Sequence, residues 1–225
     1  MSGSPTRSDK LLVSFSGIDG AGKSTQIDNL RTHLLASGLK VDIITFWDDV
    51  ATLKGFREGV GHKVFKGDQG VGSPDAPIER RDKNVRSPLV NLSRLGLYLG
   101  DALSLRQKAE KAMHSAADVV IFDRYIFDEL ANLHLDSSAM RLYLRQILRL
   151  VPMPHVPFVL DADPDQAYLR KPEYPLDFLH SNRNAYLQLA KIVGTITIIP
   201  PLPIEQAKAA VIETVTRHRL HVKVG

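Results

Sequence analysis

The stretch Ser14-Phe15-Ser16-Gly17-Ile18-Asp19-Gly20-Ala21-Gly22-Lys23-Ser24-Thr25 decides how this chain is read. It fits the spacing G-x-x-x-x-G-K-[ST], with Gly17 and Gly22 bracketing Lys23 and Ser24. Glycines let the backbone curl into a concave nest whose N–H groups converge on one anion. A lysine at this position supplies a cation for the β- and γ-phosphates, and the following hydroxyl is placed to ligate Mg²⁺. The flanking sequence has the required form. Leu11 to Ser16 is an apolar run of strand length, and Ser24 to Ser37 carries Ile27, Leu30, Leu34 and Leu35 at helical spacing. The helix therefore opens on the loop, with its positive end toward the anion. Gly17, Asp19, Gly20, Ala21, Gly22, Lys23, Ser24 and Thr25 are the expected cofactor-binding residues, and the expected cofactor is a nucleoside triphosphate. G-x-G-x-x-G does not occur, which excludes the dinucleotide fingerprint.

Composition bounds the rest. A chain of 225 residues, 44% hydrophobic, can bury a full core and reads as one α/β domain over residues 11–225. The net charge of +4 is spread along the chain, which favours small anionic ligands over nucleic acid. The absence of cysteine excludes disulfides and thiolate metal sites. No apolar run reaches membrane-spanning length and no signal-peptide core opens the chain, so membrane insertion is not expected and a cytoplasmic location is. Residues 1–10 read as a disordered tail.

Strand and helix alternate along the remainder. Val41 to Trp47 reads as a second strand. Residues 48–87 lose periodicity and carry repeated glycines plus a basic cluster at Arg80, Arg81, Lys83 and Arg86. Such a segment is either a mobile binding loop or plain disorder. Pro88 starts a long helix with Leu89, Leu92, Leu95, Leu99, Leu103 and Ala109 on one face. Asp118 to Asp123 is uniformly apolar between its two terminal aspartates, as a strand buried on both faces should be. Helical segments follow near 127–133 and 138–150; the stripe Arg141, Arg145, Arg149 on the latter reads as a solvated face. A strand over 156–161, helices over 163–171 and 176–193, a strand over 195–199 and a helix over 204–219 complete the series. Five strands joined through helices predict a parallel sheet covered on both faces, with ligands at the strands' C-terminal ends.

Asp123-Arg124-Tyr125 ends the third strand. A carboxylate there can hold Mg²⁺ directly or through water, which makes Ser24 and Asp123 the candidate metal residues. The adjacent arginine can clamp a transferring phosphoryl group. The competing reading is a structural ion pair at a strand end.

With these residues in hand, the chain resembles the thymidylate kinase family of P-loop kinases, whose fold is the P-loop NTPase fold of nucleoside monophosphate kinases. The resemblance rests on Phe15 to Gln26, on Asp123-Arg124-Tyr125, on Leu160-Asp161-Ala162-Asp163-Pro164, and on the helix from Phe178 through Arg183 and Tyr186 to Ala190. It implies ATP, Mg²⁺, a nucleoside monophosphate acceptor, a lid after the fourth strand and often a homodimer. It implies that Lys23 and Ser24 hold the donor phosphates and metal, that Asp19 meets the acceptor's sugar hydroxyl, and that Asp123 and Arg124 act between donor and acceptor. Gly20 stands where some members carry an arginine; where glycine stands there, the lid supplies the catalytic cation. The lid here is the short segment 168–177, so Arg170, Lys171 and, from the next helix, Arg183 are the candidate catalytic cations. Two departures concern the acceptor. Phe46-Trp47-Asp48-Asp49 stands where the family carries a phosphate-binding arginine, and Asp101-Ala102 where the long helix should bring a second.

The expected function is transfer of the γ-phosphoryl of ATP to a nucleoside monophosphate, dTMP first. Two other readings stay open: a kinase for a non-nucleotide acceptor such as a sugar or cell-surface precursor, and a nucleotide-binding regulatory protein with weak turnover. The absence of N-K-x-D argues against a GTPase.

Overall fold

The computed structural model describes residues 10–51 and 88–224, with side chains from 93 to 220 in the second span. Its elements in chain order are β1 (Leu11–Ser16), α1 (Lys23–Ala36), β2 (Val41–Thr45), a π-helical turn (Phe46–Val50), α2 (Pro88–Met113), β3 (Val119–Asp123), α3 (Ile126–Leu130), α4 (Ser138–Leu150), β4 (Val156–Leu160), α5 (Pro164–Arg170), α6 (Leu176–Val193), β5 (Thr197–Ile199) and α7 (Ile204–Val224). The basic cluster at 80–86 and the side chains of Leu89 and Leu92 lie outside the described residues.

The five strands form one parallel sheet in the order β2-β3-β1-β4-β5. Period-two alternation divides its side chains between two apolar layers. Leu11, Val13 and Phe15 of β1 meet Ile27, Leu30 and Leu34 of α1 and Val211 and Val215 of α7. Leu12, with Val120, Phe122 and Val159, faces the other way, toward α2, α3, α4 and α6. Each large apolar side chain buried this way contributes about 2–3 kcal/mol. The strand order reverses direction at β1, where a crevice opens at the C-terminal edge, and the glycine-rich loop leaves β1 at that point. The five-stranded parallel sheet with helices on both faces agrees with the sequence expectation.

Several boundaries differ. β2 ends at Thr45 because the backbone turns there, and the Thr45 N–H donates to the Asp49 carboxylate at 2.9 Å. The buried face of α2 is Tyr98, Ala102, Leu105, Ala109 and Ala112, at helical spacing; Leu99 and Leu103 lie one residue off it and are 42% and 46% exposed. Lys10, read as part of the tail, is buried, and its Nζ donates to the Ser115 carbonyl, two residues past the end of α2. Arg141 does not point freely into solvent: its Nη1 donates to the carbonyls of Leu135 and Asp136, both at 3.1 Å.

β1 is also held from its far end. The Leu12 N–H donates to Nδ1 of His155 at 2.9 Å, and the His155 and His218 rings lie 6.0 Å apart. An imidazole accepting at Nδ1 must leave that nitrogen unprotonated. Desolvation against β1, with the neighbouring His218, holds the His155 pKa below the usual histidine range. The folded state thus prefers the neutral ring, whereas the unfolded chain takes up the proton first as pH falls. His155 should stabilise the fold above about pH 6.5 and lose that contribution as pH drops below it. Denaturant titrations at pH 7.5 and 5.5 should show a larger acid loss for the wild type than for His155→Gln. Equal losses would show that this ring does not titrate with folding.

Candidate active site

The loop after β1 is pressed between β4 and α5. Gly17 has a φ of +137°, and a Cβ on it would come within 2.5 Å of the Leu160 carbonyl oxygen. Gly20, at φ +80°, would place a Cβ 2.5 Å from the Ala167 oxygen. No side chain fits at either point, so an arginine at position 20 is excluded by α5 itself. Gly22, at φ +85°, caps α1 in the left-handed region that glycine adopts without strain.

The Lys23 side chain folds back along the loop. Its Nζ donates to the carbonyls of Gly17 and Ile18, both at 2.8 Å. Burial and the neighbouring Arg124 lower its pKa to about 8, against the opposing pull of Asp19, Asp128 and Asp123. The ammonium is thus desolvated and favoured by any added negative charge. Ser24 and Thr25 are exposed at the start of α1.

Arg124 sits at φ +69° directly after β3. A non-glycine residue in that region costs about 1 kcal/mol or more, so neighbouring contacts must hold it. The Arg124 N–H donates to the Phe15 carbonyl at 2.9 Å, Nη1 donates to Asp128 Oδ1 at 3.0 Å, and Nη2 bonds the Asp19 carboxylate. Desolvation raises the Asp19 pKa, but Arg124, Lys23 and Lys171 outweigh it and hold the carboxyl below its usual range. Asp123 goes the other way: desolvation and the Asp128 and Asp19 charges raise its pKa against Arg124 and Lys23. A divalent cation beside Asp123 would pull that pKa down again.

A cleft of about 750 Å³ joins these groups. Residues 19–26 of the loop and α1 line one side, with Asp123, Arg124, Asp161 and Asp163 at the strand ends. Gln166, Arg170 and Lys171 of α5 line the second side, and the segment 199–204 after β5 the third. Arg170 donates through Nε to the Gln166 carbonyl at 3.0 Å, and Lys171 lies 3.1 Å from Glu173.

Of the expected site residues, all but Gly17 and Arg183 line this cleft. Arg183 grips Asp161 through two hydrogen bonds, of 2.6 and 2.8 Å, and is not among the residues lining the cleft. It holds α6 to the end of β4. On the acceptor side, Asp48 and Asp49 are exposed and Ala102 is fully buried in the core. Sequence reasoning missed Asp128 and the role of Tyr186. Asp128 is 5% exposed and accepts from Ser16 Oγ, Arg124 and the Tyr186 hydroxyl. Its spacing of four from Arg124 was the available signal.

No family model matches the chain. It is 29% identical over 164 residues to the thymidylate kinase of Prosthecochloris aestuarii, a stretch covering 72% of this chain and 64% of that protein. The probable thymidylate kinase of Methanosphaera stadtmanae is 24% identical over 200 residues, covering 87% and 91%. Among solved structures, the thymidylate kinase of Ehrlichia chaffeensis superposes with a TM-score of 0.56 at 21% identity, over 94% of this chain and 99% of the other.

Sheet order, loop and cleft define a P-loop protein of the nucleoside monophosphate kinase-like fold. The sequence relatives add a likeness to thymidylate kinases, at 24–29% identity.

The packing at Gly20 generates a direct test. Gly20→Ala forces the loop and α5 apart, at roughly 1–3 kcal/mol for overpacking. It should lower the melting temperature and weaken binding of a non-hydrolysable ATP analogue about tenfold or more, since 1.4 kcal/mol is a factor of ten. An unchanged melting temperature and affinity would show that the contact does not shape the site.

Proposed function

We propose that the chain transfers the γ-phosphoryl group of ATP to a nucleoside monophosphate, with dTMP as the first acceptor to examine. The observation that carries this reading is the meeting of Lys23, Asp123 and Arg124 in one cleft. Lys23 would neutralise charge on the donor phosphates, and the exposed N-terminal turn of α1 would add its amide dipoles. Arg124 would meet the phosphoryl group in flight, and Arg170 and Lys171 would close on it from α5. Asp19 would exchange its bond to Arg124 for one to the acceptor. Such chemistry needs alignment and charge neutralisation, with no covalent intermediate.

The donor set fits Mg²⁺ carried by the triphosphate. Among the described residues no three carboxylate or imidazole groups gather into a cage, whereas Asp123 and Ser24 both line the cleft. Mg²⁺ is commonly held by one or two protein ligands together with phosphates and water. Asp123 and Ser24 would hold it, and it would supply neutralisation of charge between the β- and γ-phosphates.

A second reading is favoured by the acceptor side. Asp48, Asp49 and Ala102 stand where acceptor-binding arginines were expected, so a non-nucleotide acceptor such as a sugar competes with dTMP. ADP release from ATP and Mg²⁺ should be screened with dTMP, the other nucleoside monophosphates and sugars. The proposal expects release dependent on a nucleoside monophosphate. Release driven by a sugar alone would establish the second reading, and none with any acceptor would overturn both. With the productive acceptor, Arg124→Ala should lower kcat on the order of a hundredfold while leaving ATP affinity nearly unchanged. An unchanged kcat in the folded variant would return Arg124 to a structural ion pair.

A further inference from the structure

Asp128 holds more polar contacts than a helix cap requires. Its Oδ2 accepts from the Tyr125 N–H at 3.1 Å, which serves the first turn of α3, and from Ser16 Oγ at 2.6 Å. Its Oδ1 accepts from Arg124 Nη1 at 3.0 Å and from the Tyr186 hydroxyl at 2.8 Å. These donors come from the end of β1, the residues after β3, and α6. A buried carboxylate is costly unless it is paired and hydrogen-bonded, and here four donors satisfy it.

The two carboxylates on Arg124 are not equivalent. The Asp128 side chain is 2% exposed, whereas that of Asp19 is 19% exposed and lines the cleft. One edge of the guanidinium is therefore fixed from inside the protein and the other is presented to ligand. If Asp128 served α3 alone, the Tyr125 bond to Oδ2 would suffice, and Oδ1 would have no reason to meet both Arg124 and Tyr186.

We infer that Asp128 is the positioning residue of Arg124: it anchors the Nη1 edge of the guanidinium, with Tyr186 and Ser16 locking its own carboxylate, so that the Nη2 edge faces the cleft. Without that anchor the guanidinium is left to Asp19 and is drawn across the loop. The geometric part of the inference is independent of the proposed activity; its consequence for turnover rests on the phosphotransferase reading.

The test has two arms. With ¹⁵N-labelled arginine, the guanidinium signals of Arg124, assigned by their loss in Arg124→Lys, should exchange with water about tenfold faster or more in Asp128→Asn, as expected when a charge-assisted hydrogen bond is removed. Unchanged exchange would overturn the inference. In steady-state kinetics with the acceptor found by the ADP-release screen, Asp128→Asn should lower kcat roughly tenfold or more with KM for ATP changed less than about twofold. Added to Arg124→Ala, it should slow turnover by no more than about a further twofold, because its effect passes through that arginine. Losses that multiply in the double variant would make Asp128 an independent structural group and overturn the inference. Tyr186→Phe, which keeps the charge and removes one lock, should lie between wild type and Asp128→Asn in both arms, and it serves if Asp128→Asn does not fold. If wild type releases no ADP with any acceptor, the phosphotransferase reading falls, and the exchange arm still decides whether Asp128 anchors Arg124.

Discussion

The space between the glycine-rich loop and the elements beneath it is the constraint on which the site depends. At Gly17 the backbone lies against the end of β4, and at Gly20 against α5, with no room for a Cβ at either point. Two consequences follow. The loop takes one curvature, and Lys23 can reach back to bond the carbonyls of Gly17 and Ile18. In turn, α5 is carried at a set distance from the loop, which brings Arg170 and Lys171 to the same cleft as Lys23. A motif defined over eight residues, Gly17 to Ser24, thereby fixes the place of a helix more than 140 residues away from Gly20.

Charge within the cleft is balanced rather than simply positive. Lys23 and Arg124 face Asp19, Asp123 and the interior Asp128, and these charges shift Lys23, Asp19 and Asp123. Burial opposes the charged forms of Lys23, Arg124, Asp19 and Asp123, so the cluster persists through mutual attraction and directed hydrogen bonds. On the proposed function Asp19 would have the most to exchange, because its partner Arg124 would keep a second, interior carboxylate if Asp19 turned to a ligand. A cation with one fixed and one releasable partner can change company without losing its place.

Much of this was legible in the sequence, for physical reasons that differ by element. The loop motif and the apolar strands are local patterns, so β1, β3 and β4 could be read closely from residues alone. Turns and helix faces were less secure: β2 stops early because Asp49 caps the backbone at Thr45, and the buried face of α2 follows Tyr98 and Leu105 rather than Leu99 and Leu103. The network around Asp128 joins residues 112 and 58 positions apart, Ser16 and Tyr186, which no local spacing announces. Arg183 was read as a cleft cation on its charge, but Asp161, 22 residues earlier, holds both arms of its contact. The acceptor side is the least legible region, because its expected arginines are replaced and most of 48–87 lies outside the described residues.

The central claim is that the buried lysine of the loop binds a triphosphate, and its pKa makes that measurable. At pH 8, Lys23 with a pKa of about 8 is half protonated, and phosphates arriving beside it favour the charged form. Calorimetric titration with Mg²⁺ and a non-hydrolysable ATP analogue, repeated in buffers of different ionisation enthalpy, should show one-to-one binding with uptake of up to about half a proton. Both the uptake and most of the affinity should vanish in Lys23→Ala. Absence of binding by the wild type, or equal binding by the variant, would contradict the account.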